Sequence, residues 1–179
     1  MNNQEKILWI TRTAIFTALL IVLQAATAPF GNRILTGSIV NFLLIVSVMT
    51  CGLASGISVA VIAPVMSKFL GIGPFWSLIP FIAAGNIVQV ILWHFIGNRN
   101  KGRKYAAGVT ASIIAAIAKF LVLYIGIVKI AVPLILGLPE PQAAVISNIY
   151  SIPQIFTALI GGILAGVLLP ALEKTIRKM

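Results

Sequence analysis

Carboxylates are almost absent from this chain: 3 acidic residues, all glutamate, stand against 13 Lys and Arg in 179 residues. One histidine, His94, and one cysteine, Cys51, complete a thin supply of reactive side chains. Each scarcity excludes something. A lone thiol forms no internal disulfide, and no metal-ligand spacing surrounds Cys51. It stands in an apolar run before Gly52 and reads as a packing residue. A metal enzyme needs several His or acidic ligands in one place, whereas Glu5, Glu140 and Glu173 are scattered along the chain. A serine hydrolase needs Ser and His paired, and His94 lies near a span edge without a nucleophile motif. The phosphate loop G-x-x-x-x-G-K-[ST] is missing, so ATP is not held by that device. No metal and no cofactor are expected, and the enzyme reading is the weakest.

What is present is apolar surface. Hydrophobic residues make up 60 % of the chain, charged residues 9 %, and the mean hydropathy is +1.09. A water-soluble domain of this size must cover itself with polar side chains. Most of this surface therefore faces lipid. A hydrocarbon core of about 30 Å takes about 20 residues of helix, and six such stretches fill the sequence. The expectation is an all-α integral membrane protein with six transmembrane helices, forming one domain over residues 1–179.

The spans are expected at Leu8–Ala28, Thr36–Gly52, Ala54–Leu70, Trp76–Ile96, Tyr105–Ile130 and Ala144–Leu172. Spans two and three are joined by almost nothing around Gly52, which predicts a tight hairpin. Pro133–Pro141 is expected to be the longest outer connection. Pro64 and Pro153 are expected to kink spans three and six, since each removes a backbone donor. Ala26-Thr27-Ala28 looks like a signal-peptide cleavage site, but Pro29 follows it and the first span is expected to be retained.

A net charge of +10 would point to nucleic acid in a soluble protein. Here its placement assigns it to topology. Basic residues gather at Lys6 and Arg12, at Arg99 through Lys104, and at Lys174, Arg177 and Lys178. With six spans these three sites share one side, which the positive-inside rule makes cytoplasmic. Both termini are expected there, next to anionic lipid, and no nucleic-acid partner is expected.

Polar side chains within the spans are costly and usually face a bundle interior. Lys119 lies about 22 Å beyond Lys104 at 1.5 Å per residue, past the midplane of span five. The three acids are poorly placed to neutralise it, so it either snorkels outward or meets a ligand. Asn86, Gln89 and Trp93 stand on one face of span four. They read either as interhelical hydrogen bonding or as ligand contacts, and Trp93 equally suits the cytoplasmic interfacial belt. Asn148, Ser151 and Gln154 make a similar face in span six, and Asn41 lies in the outer half of span two. The candidate binding residues are Asn41, Asn86, Gln89, Lys119, Asn148 and Gln154. They point to a cavity opening outward, walled by spans two, four, five and six. Basic groups near its mouth favour an anionic small-molecule substrate.

Small residues add a second signal. Ala14 and Ala18 form a small-xxx-small pair in span one, and Gly162 with Gly166 another in span six, echoed by Gly161 with Ala165. A basic, six-span chain of this length with Ala14-Ile15-Phe16-Thr17-Ala18 behind Thr11-Arg12 resembles the substrate-binding S components of energy-coupling factor (ECF) transporters. The stretch from Asn41 through Gly85-Asn86 has the same look. The resemblance implies a vitamin or related micronutrient bound in the outer half. It implies a transmembrane coupling subunit docking at Ala14 and Ala18, two ATPase subunits, and a bacterial or archaeal cytoplasmic membrane. A stand-alone ion-coupled transporter and a purely structural membrane subunit stay open, although inverted repeats and intramembrane acids, the usual marks of ion coupling, are not evident.

Overall fold

The computed structural model describes residues 2–73, 75–97 and 104–176. The basic residues Arg99, Lys101, Arg103, Arg177 and Lys178 lie outside the described residues. Among the described residues there is no strand. The helices are α1 (Asn3–Thr27), α2 (Arg33–Cys51), α3 (Leu53–Phe69), α4 (Ile79–Leu92), α5 (Lys104–Leu123), α6 (Glu140–Ile149) and α7 (Pro153–Ile176). Among the described residues, five helical stretches are long and apolar enough to cross a membrane. The remaining one, α3, has 17 residues and reaches about 26 Å at 1.5 Å per residue.

Local chemistry explains most boundaries. Asn2 caps α1 by accepting from the Gln4 and Glu5 amides, and Glu5 bonds back to the Asn2 amide, a reciprocal capping box. Asn32 accepts from the Ile34 and Leu35 amides to start α2. Between α2 and α3 a single residue, Gly52, turns the chain at φ 88, a region that glycine enters without steric cost. This is the predicted hairpin.

Two expectations about proline need correction. Span five does not stop near Ile130. The helix continues as a π-wound segment, Tyr124–Leu136, with Pro133 inside it, leaving only residues 137–139 before α6. Wider local winding is one way a membrane helix tolerates proline. Span six, in turn, is not one kinked helix. It breaks at residues 150–152, and Pro153 opens α7. Proline suits a first helical turn, where its missing N–H has no intrahelical acceptor, and it drives the preceding residue out of helical geometry. The Ser151 hydroxyl donates to the Asn148 carbonyl at 2.9 Å, and Gln154 Nε2 to the Ile149 carbonyl at 3.0 Å. These side chains satisfy carbonyls that the break exposes.

The interior follows one stripe that runs from α5 into the π-wound segment after it. Ala111, Ala115, Lys119, Leu123, Ile127 and Ala131 recur every four residues, and all are buried. Ala111 and Ala115 belong to an apolar cluster with Leu44, Val59 and Trp93, whereas Leu123, Ile127 and Ala131 join another with Leu78 and Ile146. Lys119 occupies the interval between the two clusters. Trp93, admitted to the interfacial belt by sequence, is instead core at 1 % exposure.

Glycines set the closest helix approaches. A Cβ on Gly161 would lie 2.7 Å from Asn41 Cβ and 2.8 Å from the Phe42 nitrogen, and a Cβ on Gly162 would meet Ser112. Gly166 has open space around it. Gly161 and buried Ala165 therefore pack as a pair, whereas in the other pair Gly162 packs on Ser112 and Gly166 does not pack. Polar bonds join α1 to α3 at both ends: Thr13 Oγ1 to Ser55 Oγ at 2.9 Å, and Ser67 Oγ to Gln24 Oε1 at 2.6 Å.

Candidate functional site: a cavity ending at a caged lysine

Three amide oxygens converge on the Lys119 ammonium. Asn86 Oδ1 and Gln89 Oε1 each accept from Nζ at 2.8 Å, and Asn41 Oδ1 accepts a third, shorter bond. An ammonium has three N–H donors and no acceptor, so the cage matches its hydrogen-bonding capacity. Lys119 is 3 % exposed. It does not snorkel outward.

The amides are held from behind. Asn41 Nδ2 donates to Thr157 Oγ1 at 3.2 Å, which ties α2 to α7. Asn86 Nδ2 donates to the Ala60 carbonyl at 3.4 Å. That carbonyl is free because Pro64, four residues on, has no N–H to return to it. Proline in α3 thus supplies the acceptor that orients an amide of α4. Asn86 and Gln89, three residues apart, share a helix face as their spacing predicts. Gly85 lets the lysine stem pass, since a Cβ there would sit 3.5 Å from Lys119 Cγ and 3.1 Å from Leu123. Among the described residues, Gln89 Nε2 is buried without a hydrogen-bond partner.

A cavity of about 530 Å³ opens above this cage. Its mouth is formed by Gly31, Asn32, Arg33, Ile72 and Gly73, in the connections after α1 and α3. Its deep end is Asn41, Asn86 and Lys119. Arg33 to Asn41 is eight residues of helix, or about 12 Å of depth. Gln154 and Tyr150 contribute from the break between α6 and α7.

The wall differs from the sequence expectation in three respects. Spans one and three contribute as well as the expected four, through Gln24, Pro64 and Ser67. Gln89 supports the cage from one layer behind, since it is fully buried and does not line the cavity. Asn148 is exposed and also outside the lining, because the break after Ile149 separates it from the face that carries Gln154. Gln24 and Ser67 were not candidates by sequence. Each is one of several polar residues in its helix, and only knowing that α1 and α3 are neighbours would have paired them.

The family model for the substrate-specific component of ECF transporters matches residues 9–173. The chain belongs to this family. Matching runs from α1 into α7, so the whole bundle, cavity included, lies inside it. No curated protein and no solved structure matches the chain. This ECF substrate-specific component is therefore a multi-pass membrane transport subunit whose ligand has to be read from its own residues. Ala14 and Ala18 are both exposed on α1, on a face turned away from the cavity residues Leu20 and Gln24.

Proposed function

We propose that the protein captures a vitamin or vitamin-like micronutrient in the 530 Å³ cavity and delivers it inward as the substrate subunit of an ATP-driven importer. The carrying observation is the caged lysine at the deep end of an open, partly polar cavity. Small-molecule sites are typically about 300–1,000 Å³, mostly apolar, with a few placed polar groups. Asn41, Asn86, Lys119 and Gln154 are those groups here, with Gln24, Ser67 and Tyr150 beside them. In this reading α3 is the sixth crossing, both termini are cytoplasmic, and the cavity mouth faces outward in a bacterial or archaeal cytoplasmic membrane.

Energy comes from elsewhere. The chain carries no phosphate loop, so a coupling subunit and two ATPase subunits supply the drive. Ala14 and Ala18 are the proposed docking point. Their exposure and small size suit close approach of a partner helix. Phe16 and Leu19, on another face of α1, line an apolar groove of about 400 Å³ shared with α2 and α7.

Uptake into cells tests this reading. Labelled vitamins are offered to cells expressing the chain with or without the coupling and ATPase subunits. Accumulation of one vitamin only when all subunits are present supports the proposal. Equal accumulation by the chain alone, abolished by collapsing ion gradients, would establish the ion-coupled alternative.

A further inference from the structure

We infer that the bound molecule carries an ionised acid group, a carboxylate or a phosphate ester, and that it seats with this group inward, at Lys119. The inference rests on the binding function proposed above and adds the chemistry and the direction of binding.

The charge inventory carries the argument. Two cationic side chains line the cavity, Arg33 at the mouth and Lys119 at the deep end, and none of the lining residues is a carboxylate. Glu5 stands in the first turn of α1, and Gln24 at the cavity is 19 residues further along, about 28 Å away. Glu140 opens α6 with its side chain exposed. The amide cage satisfies the ammonium's hydrogen bonds but contributes dipoles, not negative charge. Burying a cation without a counter-ion is costly, and a methionine in the same stripe between apolar clusters would avoid that cost. Lys119 instead lines the cavity, so a positive charge on it faces that open volume.

Geometry fixes the direction. Arg33 is exposed at the rim, where water screens it. Lys119 is buried, so its field is screened far less and an anion there gains more. Asn41 and Asn86 have their NH2 ends tied to Thr157 and Ala60. The cage therefore holds the ammonium in place as the anion arrives. Arg33 attracts the anion to the mouth and Lys119 holds it at the bottom.

The test needs no prior identity for the ligand. A small-molecule extract of cells grown in rich medium is split on a strong anion exchanger into retained and unretained fractions. Each is added to the purified protein in detergent, and thermal stabilisation and captured mass are recorded. Stabilisation by the retained fraction alone is expected, with a captured compound bearing an acid group. Lys119→Gln should weaken its affinity about 10- to 100-fold, the scale of losing one poorly screened charge beside the ligand, and Lys119→Arg should restore part of it. Stabilisation by the unretained fraction alone, or by a captured neutral or cationic compound, overturns the inference and leaves the binding function standing. Stabilisation by neither fraction overturns the binding function, and this inference with it. If Lys119→Gln does not fold, the wild-type comparison of fractions still decides.

Discussion

Adding one methyl group at Gly161 or at Gly166 should move stability in opposite directions. A Cβ on Gly161 would come within 2.9 Å of the Ser38 carbonyl and 2.8 Å of the Phe42 nitrogen. These are backbone atoms of a packed helix, which cannot turn aside as a side chain can. Over-packing of this kind typically costs about 1–3 kcal/mol. A Cβ on Gly166 meets nothing within 4 Å, and alanine gains about 0.5–1 kcal/mol over glycine in a helix interior. The propensity gain applies at both sites and cancels in the comparison, so Gly161→Ala should fall about 1–3 kcal/mol below Gly166→Ala. Equilibrium unfolding of both variants in mixed detergent, followed by circular dichroism, measures the difference. Gly161→Ala should also weaken ligand binding, because the contact it forces is with Asn41, one wall of the lysine cage. Equal stability of the two variants, or a less stable Gly166→Ala, would refute the packing of α7 on α2 described above.

Other substitutions separate the parts of the account. Asn41→Leu should destabilise the protein by about 1–3 kcal/mol, since it takes an acceptor from buried Lys119 and leaves Thr157 without its donor; unchanged unfolding would remove Asn41 from the cage. Ala18→Trp should leave ligand affinity within twofold and abolish uptake in cells expressing all subunits; normal uptake would dismiss the docking face. In a cysteine-free background, Asn86→Cys should react with small thiol reagents and be protected by ligand, while Gln89→Cys should react in neither state. Labelling of both to the same extent would contradict the layering of the two amides. Asn148→Ala should bind as the wild type does, and a loss of affinity would bring that residue back to the site.

The elements that sequence could place were those governed by local rules. Gly52 marks a hairpin because one glycine between two apolar runs leaves no other way to turn. Asn86 and Gln89 fall on one face because three residues make nearly one helical turn. Lys119 stands out because a cation inside an apolar stripe needs a reason. What sequence could not place depends on neighbours or on backbone winding. Proline is ambiguous: Pro133 is carried through a π-wound helix, Pro64 frees a carbonyl inside one, and Pro153 begins one. Taking Pro153 as a kink kept Asn148 on the same face as Gln154, and the break in the chain separates them. The Gln24–Ser67 pair bridges helices whose adjacency no periodicity reveals. Likewise the sequence offers two overlapping small pairs in α7, and only the rotation of that helix against α2 and α5 decides that Gly161 with Ala165 is the one packed at both positions.

The central claim is that the cavity above Lys119 holds a small molecule. Native mass spectrometry of protein purified from cells in rich medium, with fragmentation of any released compound, tests it most directly. One vitamin-sized compound at one copy per chain is the predicted result, displaced in parallel with substitutions at Asn86 and Lys119 and unaffected by substitution at Ala18. A protein that emerges empty and stays empty against a panel of vitamins would contradict the account and leave the lysine cage as helix packing alone.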